Sequence, residues 1–374
     1  MKIEILKENL KSGLSVVERI IGKNASLPIL DNVLMGVEDS FLSLVSTNLE
    51  TTIKLWILTK IIKKGSVVVP AKFLSSLIST LPNEKVLMEA KDQNLLIECD
   101  TIKTQVQGFN TEEFPIIPEF KNEDVVQVDN KSFCWGLSQI INIPTPSQSR
   151  PEISGIYLAF SKNTVKLAAT DSFRLAEKNI TLASPVTKDF ALILPQRPAA
   201  ELVHILGERE GALTMYISRN QVMFELGMKE VKHPQVQITS RLLEGEYPNY
   251  QEIIPTKFKT SATVKRDEFF NLVKTASLFS NKTNEVKIKV IPEKQSVEIF
   301  AKSAEVGESR AGLAAKTTGE HIEVSFNHKY ILEGLANIKS SEVIFDISKE
   351  EGPCMLRPVG DASYIYVVMP IKSI

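Results

Sequence analysis

The residues of this chain that are suited to chemistry are dispersed. Thr170-Asp171-Ser172 sets hydroxyls beside a carboxylate, but it lacks the elbow glycines and the nearby base that an activated serine needs. The spacing fits better with a turn in which Asp171 caps its own backbone. His204, His233, His321 and His328 fall on different elements without HExxH spacing, and no glycine-rich string ends in Lys-Ser or Lys-Thr to cradle a phosphate. The three cysteines, Cys99, Cys134 and Cys354, have no paired spacing, which argues for a reducing compartment and against a disulfide framework or a zinc site. Neither a metal nor a cofactor is expected. Charge, by contrast, recurs: Lys72, Arg197 and Lys329 each open a helix-like stretch just after Val69-Pro70, Leu194-Pro195 and Phe326-Asn327. The helix macrodipole opposes a cation there, so three equivalent cations need a reason other than helix stability.

These positions belong to a larger repeat. Phe114-Pro115-Ile116-Ile117, Tyr247-Pro248-Asn249-Tyr250 and the terminal Met369-Pro370-Ile371 cut the chain into thirds, and Ser46-Thr47-Asn48-Leu49 is echoed by Ala169-Thr170-Asp171-Ser172. The echoes lie roughly 125–130 residues apart, too far for a solenoid unit of roughly 20–50 residues and close to the size of a small globular domain. Each third opens on a short alternating strand, beginning near Lys2, Asp124 and Thr260. An amphipathic helix follows, carrying Leu10, Leu14, Val17 and Ile21 in the first third, Phe133, Leu137 and Ile140-Ile141 in the second, and Phe269, Leu272-Val273 and Ala276 in the third. After further strands a second helix is predicted from Lys72, Arg197 and Lys329. Its core stripe is Phe73, Leu77 and Leu81, then Leu202 and Ile205, then Ile331 and Leu335. Two helices packed on antiparallel strands make each unit an α+β domain. Clusters of Pro, Glu, Lys and Asn place the domains at 1–121, 122–256 and 257–374.

Composition agrees with three independent cores: 374 residues, 43% hydrophobic and 24% charged. Lys and Arg total 44 against 45 Asp and Glu, so any phosphate-binding surface must be segregated on one face. The first residues interrupt apolar side chains with charges, which excludes a signal peptide there, and no run reaches the roughly 20 apolar residues of a membrane span. A cytoplasmic protein with no membrane partner is expected.

Four strings occur in order along the chain: Ser26-Leu27-Pro28-Ile29-Leu30-Asp31-Asn32, Thr170-Asp171-Ser172-Phe173-Arg174-Leu175-Ala176, Glu244-Gly245-Glu246-Tyr247-Pro248-Asn249-Tyr250 and Tyr364-Ile365-Tyr366-Val367-Val368-Met369-Pro370-Ile371. Together they resemble the bacterial sliding clamp, the beta subunit of DNA polymerase III holoenzyme, over the whole chain. The resemblance implies a head-to-tail homodimer whose six clamp domains form a ring around duplex DNA, with strands outside and helices lining the hole. It implies a non-enzymatic processivity factor that binds DNA without sequence preference. Its partners would be the DNA polymerase III alpha subunit, the clamp loader, other polymerases and repair proteins, each bringing a short linear motif. A three-domain adaptor without DNA passage, and a hydrolase using Asp171 or a histidine, are the competing readings.

The resemblance also assigns sites. A partner-peptide cleft between the second and third domains would use Ile153, Thr170, Ser172, Phe173, Arg174, Leu175, Pro248, Ile253, Val367, Met369, Pro370 and Ile371, with Asn327 and Tyr330 at the rim. Met, Val, Ile and Pro suit an adaptable apolar pocket, and Arg174 is expected to fix a peptide carbonyl or acidic group. Lys11, Arg19, Lys23, Lys72, Arg150, Arg197 and Lys329 are expected to face DNA as a diffuse lining for phosphates. The dimer seam is expected at Leu278 and Phe279 against an edge strand containing Thr104 and Val106.

Overall fold

The computed structural model describes residues 1–22, 27–117, 120 and 124–371. One order of elements is laid down three times. The first third opens with β1 (Lys2–Leu6), α1 (Lys7–Val17), β2 (Asn32–Glu38), β3 (Phe41–Thr47), β4 (Thr51–Leu58), β5 (Lys60–Lys63) and β6 (Ser66–Pro70). It closes with α2 (Ala71–Thr80), β7 (Lys85–Lys91), β8 (Asn94–Cys99) and β9 (Ile102–Val106). The second runs β10 (Asp124–Asp129), α3 (Asn130–Ile140), β11 (Gly155–Ser161), β12 (Thr164–Thr170), β13 (Arg174–Thr181) and β14 (Phe190–Pro195). There follow α4 (Gln196–Leu206), β15 (Ala212–Ile217), β16 (Gln221–Gly227) and β17 (Pro234–Arg241). The third repeats the pattern with β18 (Thr260–Lys265), α5 (Arg266–Ser277), β19 (Glu285–Ile291), β20 (Ser296–Ser303), β21 (Gly307–Ala314), β22 (Lys316–Gly319) and β23 (Ile322–Asn327). It ends with α6 (His328–Ala336), β24 (Glu342–Ile347), β25 (Cys354–Pro358) and β26 (Tyr364–Val368).

The helices form where apolar residues recur on one face. Leu10, Leu14 and Val17 are buried on α1, Phe269, Val273 and Ala276 on α5, and Ile331 and Leu335 on α6, as the periodicity predicts. The second helix of the first third differs. α2 buries Ala71, Leu74 and Ile78, leaving Phe73 58% exposed and Leu77 half-buried, so the predicted stripe is rotated by about one position. Strands with one wet face alternate as expected: in β8, Leu95, Ile97 and Cys99 are buried and their neighbours half-buried.

The chain divides into two compact units, one of residues 1–134, 182–186 and 197–242, the other of residues 135–181, 187–196 and 243–374. The middle third therefore contributes to both. In the first unit an eight-stranded sheet runs β10-β15-β16-β17-β4-β3-β2-β6, beside a five-stranded sheet β5-β1-β7-β8-β9. The second unit holds a nine-stranded sheet, β14-β11-β12-β13-β26-β25-β24-β18-β22, and a four-stranded sheet, β21-β20-β19-β23. Two junctions follow one rule. β17, the last strand of its third, pairs with β4, and β26, the last strand of the next third, pairs with β13. β9, the last strand of the first third, and β21, the third strand after its helix as β4 and β13 are, are both sheet edges.

Candidate functional site

The link between β12 and β13 is a compact turn held by its own side chains. Thr170 Oγ1 donates to Arg174 O at 2.8 Å and accepts the Ser172 N–H at 3.2 Å. Asp171 Oδ1 accepts the N–H groups of Phe173 and Arg174, both at 3.0 Å. Ser172 takes a left-handed conformation with φ of 76°. This is the capping role expected of Asp171, and it leaves that carboxylate committed to structure.

Arg174 is tied into its own chain. Its side chain is 8% exposed; Nε donates to Asp171 Oδ2 at 3.0 Å, one terminal nitrogen pairs with Glu333, and the other donates to Asn142 O at 3.3 Å. The guanidinium also lies 4.6 Å from the Tyr330 ring centroid. Burial opposes its charge, but Tyr366, Glu333 and Asp171 hold its pKa above the usual value. Three of the five guanidinium N–H groups are thus engaged within the chain, and through them Arg174 fixes the turn to α6.

Beneath the turn lies an apolar floor. Leu175 and Val367 face each other across β13 and β26 and pack with Ala168, Tyr250 and Met355. Tyr157, Tyr247, Ile254, Phe258 and Ile365 pack against that cluster. Tyr157 stacks on Tyr247 with centroids 4.9 Å apart, and the Thr170 N–H donates to the Tyr247 hydroxyl at 3.1 Å. Tyr250 donates to Glu177 at 2.8 Å; burial and that carboxylate push its phenol pKa up. The C-terminal segment closes one side, since Met369 N–H donates to Phe173 O and Ile371 N–H to Ser325 O, both at 2.8 Å. At the rim Phe173 is 60% exposed and stacks 6.4 Å from Tyr330, while Met369, Pro370 and Ile371 are half-buried.

The structure thus joins Thr170, Ser172, Phe173, Arg174, Leu175, Tyr330, Val367 and Met369 through direct contacts, with Pro248 beside Tyr247, and Pro370 and Ile371 following Met369 in the chain. Asn327 instead caps α6, accepting the Lys329 N–H at 3.0 Å. Ile153 is buried in a short turn, Pro151–Ser154, and Ile253 is exposed at the end of another, Tyr250–Ile253; neither belongs to the floor cluster. Sequence reasoning did not pick out Tyr157, Tyr247, Tyr250, Met355 or Glu333. Tyr247 and Tyr250 were visible in the repeated Pro-containing string, but nothing local marks Glu333 as the partner of Arg174.

Lys72, Arg197 and Lys329 are each exposed in the first turn of α2, α4 and α6, and Lys11 is exposed on α1. Arg19 pairs with Glu201, and Arg150 Nε lies 3.4 Å from Glu152, so these two are less free than the sequence implied. Lys23 lies outside the described residues. Leu278 is 74% exposed and Phe279 half-buried at the end of α5. On β9 Thr104 is half-buried, but Val106, 3% exposed, is already packed within its own chain; Ile102 and Phe73 offer the exposed apolar surface that was not predicted. Among the described residues no His, Cys, Asp or Glu cluster could hold a metal, and no helix is long and apolar enough to cross a membrane.

Comparison with known proteins covers the same length. Models of the DNA polymerase III beta subunit match in three parts: the N-terminal domain at residues 1–118, the central domain at 128–249 and the C-terminal domain at 251–372. The beta sliding clamp of Synechococcus elongatus is 27% identical over 380 residues, covering 100% of this chain and 99% of that one. That of Staphylococcus aureus is 26% identical over 383 residues, with both chains fully covered. A crystal structure of the DNA polymerase sliding clamp from Bacillus subtilis matches all of both chains with a TM-score of 0.93 at 25% identity. A Pseudomonas aeruginosa clamp bound to griselimycin has the same TM-score and coverage at 22% identity.

Proposed function

The chain belongs to the DNA polymerase III beta-subunit family, the bacterial sliding clamps, and from that premise we propose that it is a non-enzymatic processivity clamp that encircles duplex DNA as a head-to-tail homodimer. Its three domains, at 1–121, 122–256 and 257–374, are doubled by the partner into a six-domain ring. The observation that carries this reading is the pair of unused edges. Since β17 adds to β4 and β26 to β13, the remaining last strand, β9, lacks only the remaining receiving strand, β21. One chain offers each edge once, so two chains satisfy both edges in both seams. Exposed Phe73, Ile102 and Leu278 supply the apolar surface that such a seam would bury.

Helix-borne Lys11, Lys72, Arg197 and Lys329, with Arg19 and Arg150 more weakly, would face the phosphates. A sliding ring needs diffuse charge of this kind and no contact with base edges. The floor formed by Leu175 and Val367, rimmed by Phe173, Tyr330 and Met369, would take the apolar anchors of short motifs from the DNA polymerase III alpha subunit, the clamp loader, other polymerases and repair proteins. A cytoplasmic location follows from that role.

Native mass measurement combined with retention on DNA tests the reading. A dimer loaded on closed circular DNA is expected to persist at a salt concentration that screens phosphate contacts and to be lost when the circle is cut. Equal, salt-sensitive loss from circular and linear DNA would overturn it.

A further inference from the structure

The turn that frames the peptide cleft exists a second time. In the first third, Thr47 Oγ1 donates to Thr51 O at 3.2 Å and accepts the Leu49 N–H at 3.1 Å. Asn48 Oδ1 accepts the N–H groups of Glu50 and Thr51 at 3.1 and 2.7 Å, and Leu49 has a φ of 71°. Each bond matches one in the Thr170–Arg174 turn. The strand addition matches too: Arg241 N–H donates to Glu50 O at 2.8 Å, as Met369 N–H does to Phe173 O. Thr47, Leu49, Ile116 and Arg241 line a cavity of about 110 Å³. A groove of about 1090 Å³ shares Thr52, Ile116, Ile117 and Thr239 with it.

The frame is repeated, but the side chains on it are not. Register through the paired strands places Thr52 where the cleft has Leu175, Thr239 where it has Val367, and Gln237 where it has Ile365. Thr52 Oγ1 already donates to Thr47 Oγ1 at 2.9 Å and Gln237 Nε2 to Glu225, so the second floor offers a ligand the Thr239 hydroxyl and the remaining acceptor oxygens, which the aliphatic floor lacks. Apolar surface persists at the rim, where Leu49 is 46% and Ile116 94% exposed. Arg241 replaces Met369. Its guanidinium is exposed and has no hydrogen-bond or ion-pair partner among the described residues, whereas the carboxylates deeper in the groove are engaged. Glu225 accepts from Gln237 at 2.6 Å and from Tyr216 at 3.3 Å, and Glu38 accepts from Trp56 at 2.8 Å and pairs with Lys54 at 2.9 Å. Glu50 lines the same cavity beside Arg241, and its carboxylate would repel an acidic group approaching from its own side.

We propose that this groove is a second peptide-docking site of different specificity, taking a linear segment with one aliphatic anchor followed by acidic residues. The anchor packs on Leu49 and Ile116, the acidic group meets Arg241, and the backbone is held by the hydroxyl-bearing floor. The inference rests on the reading of the Thr170–Arg174 frame as a peptide cleft.

Two fluorescein-labelled peptides and the full-length protein test it, one peptide with a Leu-Phe pair and the other with a single Leu followed by two Asp. The acidic peptide is expected to bind wild type and Met369→Ala equally, to weaken about tenfold or more in Arg241→Glu, and to tighten in Glu50→Gln. The Leu-Phe peptide is expected to show the reverse dependence on Met369 and Arg241. Loss of the acidic peptide in Met369→Ala with no effect of Arg241→Glu, or no saturable binding of it to wild type, would overturn the second site while leaving the first intact. Failure of the Leu-Phe peptide to bind wild type would instead remove the reading on which the second site rests.

Discussion

Gly334 lies directly against the ring of Tyr366: a Cβ at position 334 would come within 2.6 Å of one ring carbon and 2.7 Å of another. The ring is fully buried and its hydroxyl donates to Tyr330 O at 2.9 Å, so it cannot retreat without disturbing the cleft rim. Alanine in a helix interior normally gains about 1 kcal/mol over glycine. Overpacking typically costs about 1–3 kcal/mol and is expected to win here. Gly334→Ala should therefore lower the urea midpoint and weaken a cleft peptide together. A variant as stable as the parent would show that α6 has room to move.

Arg174 supplies a second test because three acceptors converge on it. Arg174→Ala would strand Asp171 and Glu333 in a largely buried site, at a cost of about 3–5 kcal/mol. Glu333→Gln in that background should cost less than it does alone, since the partner charge is already gone. Chemical denaturation of the four proteins gives the coupling. Strict additivity would mean that the pair contributes nothing to the turn.

The cleft reading separates rim from floor. Met369 is half-buried, and Met369→Ala is expected to weaken a Leu-Phe peptide by about 1–3 kcal/mol with little loss of fold stability. Leu175 is 2% exposed, so Leu175→Ala should instead destabilise the fold by about 2–5 kcal/mol. Anisotropy and thermal melts on both variants decide it. Peptide binding unchanged in Met369→Ala would place the pocket elsewhere.

What the sequence discloses follows from the range of each interaction. The thirds were legible because Phe114-Pro115 and Tyr247-Pro248 carry their signal in adjacent residues, and the capping role of Asp171 is likewise local. The phase of α2 was not legible: Phe73 and Leu74 are both apolar, each starts an acceptable stripe, and the choice is made by the sheet beneath. The pairing of Arg174 with Glu333 spans 159 residues, and the addition of β17 to β4 joins strands from different thirds, so neither leaves a local pattern. Val106 is placed at the seam by the resemblance, which carries no local signal of burial. Its burial depends on the fold of its own domain.

Cys99, Cys134 and Cys354 are all buried and free. Burial raises each thiol pKa, with those of Cys134 and Cys354 pushed up to about 12. A raised pKa keeps the sulfur protonated until well above neutral pH, and the thiolate is the reactive form. At pH 8 the native protein is expected to react negligibly with a thiol reagent, whereas all three cysteines should react after denaturation. Rapid native labelling of any one would contradict its packing.

The low native reactivity makes the proposed seam testable by an introduced cross-link. Register can be carried from the two observed junctions to the missing one. Thr239 pairs with Thr52, and Val367 with Leu175, which by position in their strands correspond to Gln105 and Glu308. Thr104 would then face Ser309 of the second copy. The bonds from Arg241 to Glu50 and from Met369 to Phe173 fix which pairs exchange hydrogen bonds, and by alternation the Thr104–Ser309 pair is a non-hydrogen-bonded one. Such pairs have Cα atoms about 4.5 Å apart, within the range a disulfide spans. Thr104→Cys combined with Ser309→Cys should therefore oxidise to a covalent dimer, and each single variant should not. Shifting one partner by a residue, to Thr104→Cys with Arg310→Cys, points the two side chains to opposite faces and should abolish the link. Adding Leu278→Asp should suppress it as well, by placing a charge in the apolar contact. Non-reducing gel electrophoresis reads all four results, and equal cross-linking in the shifted pair would refute the register and with it the rule that β9 meets β21.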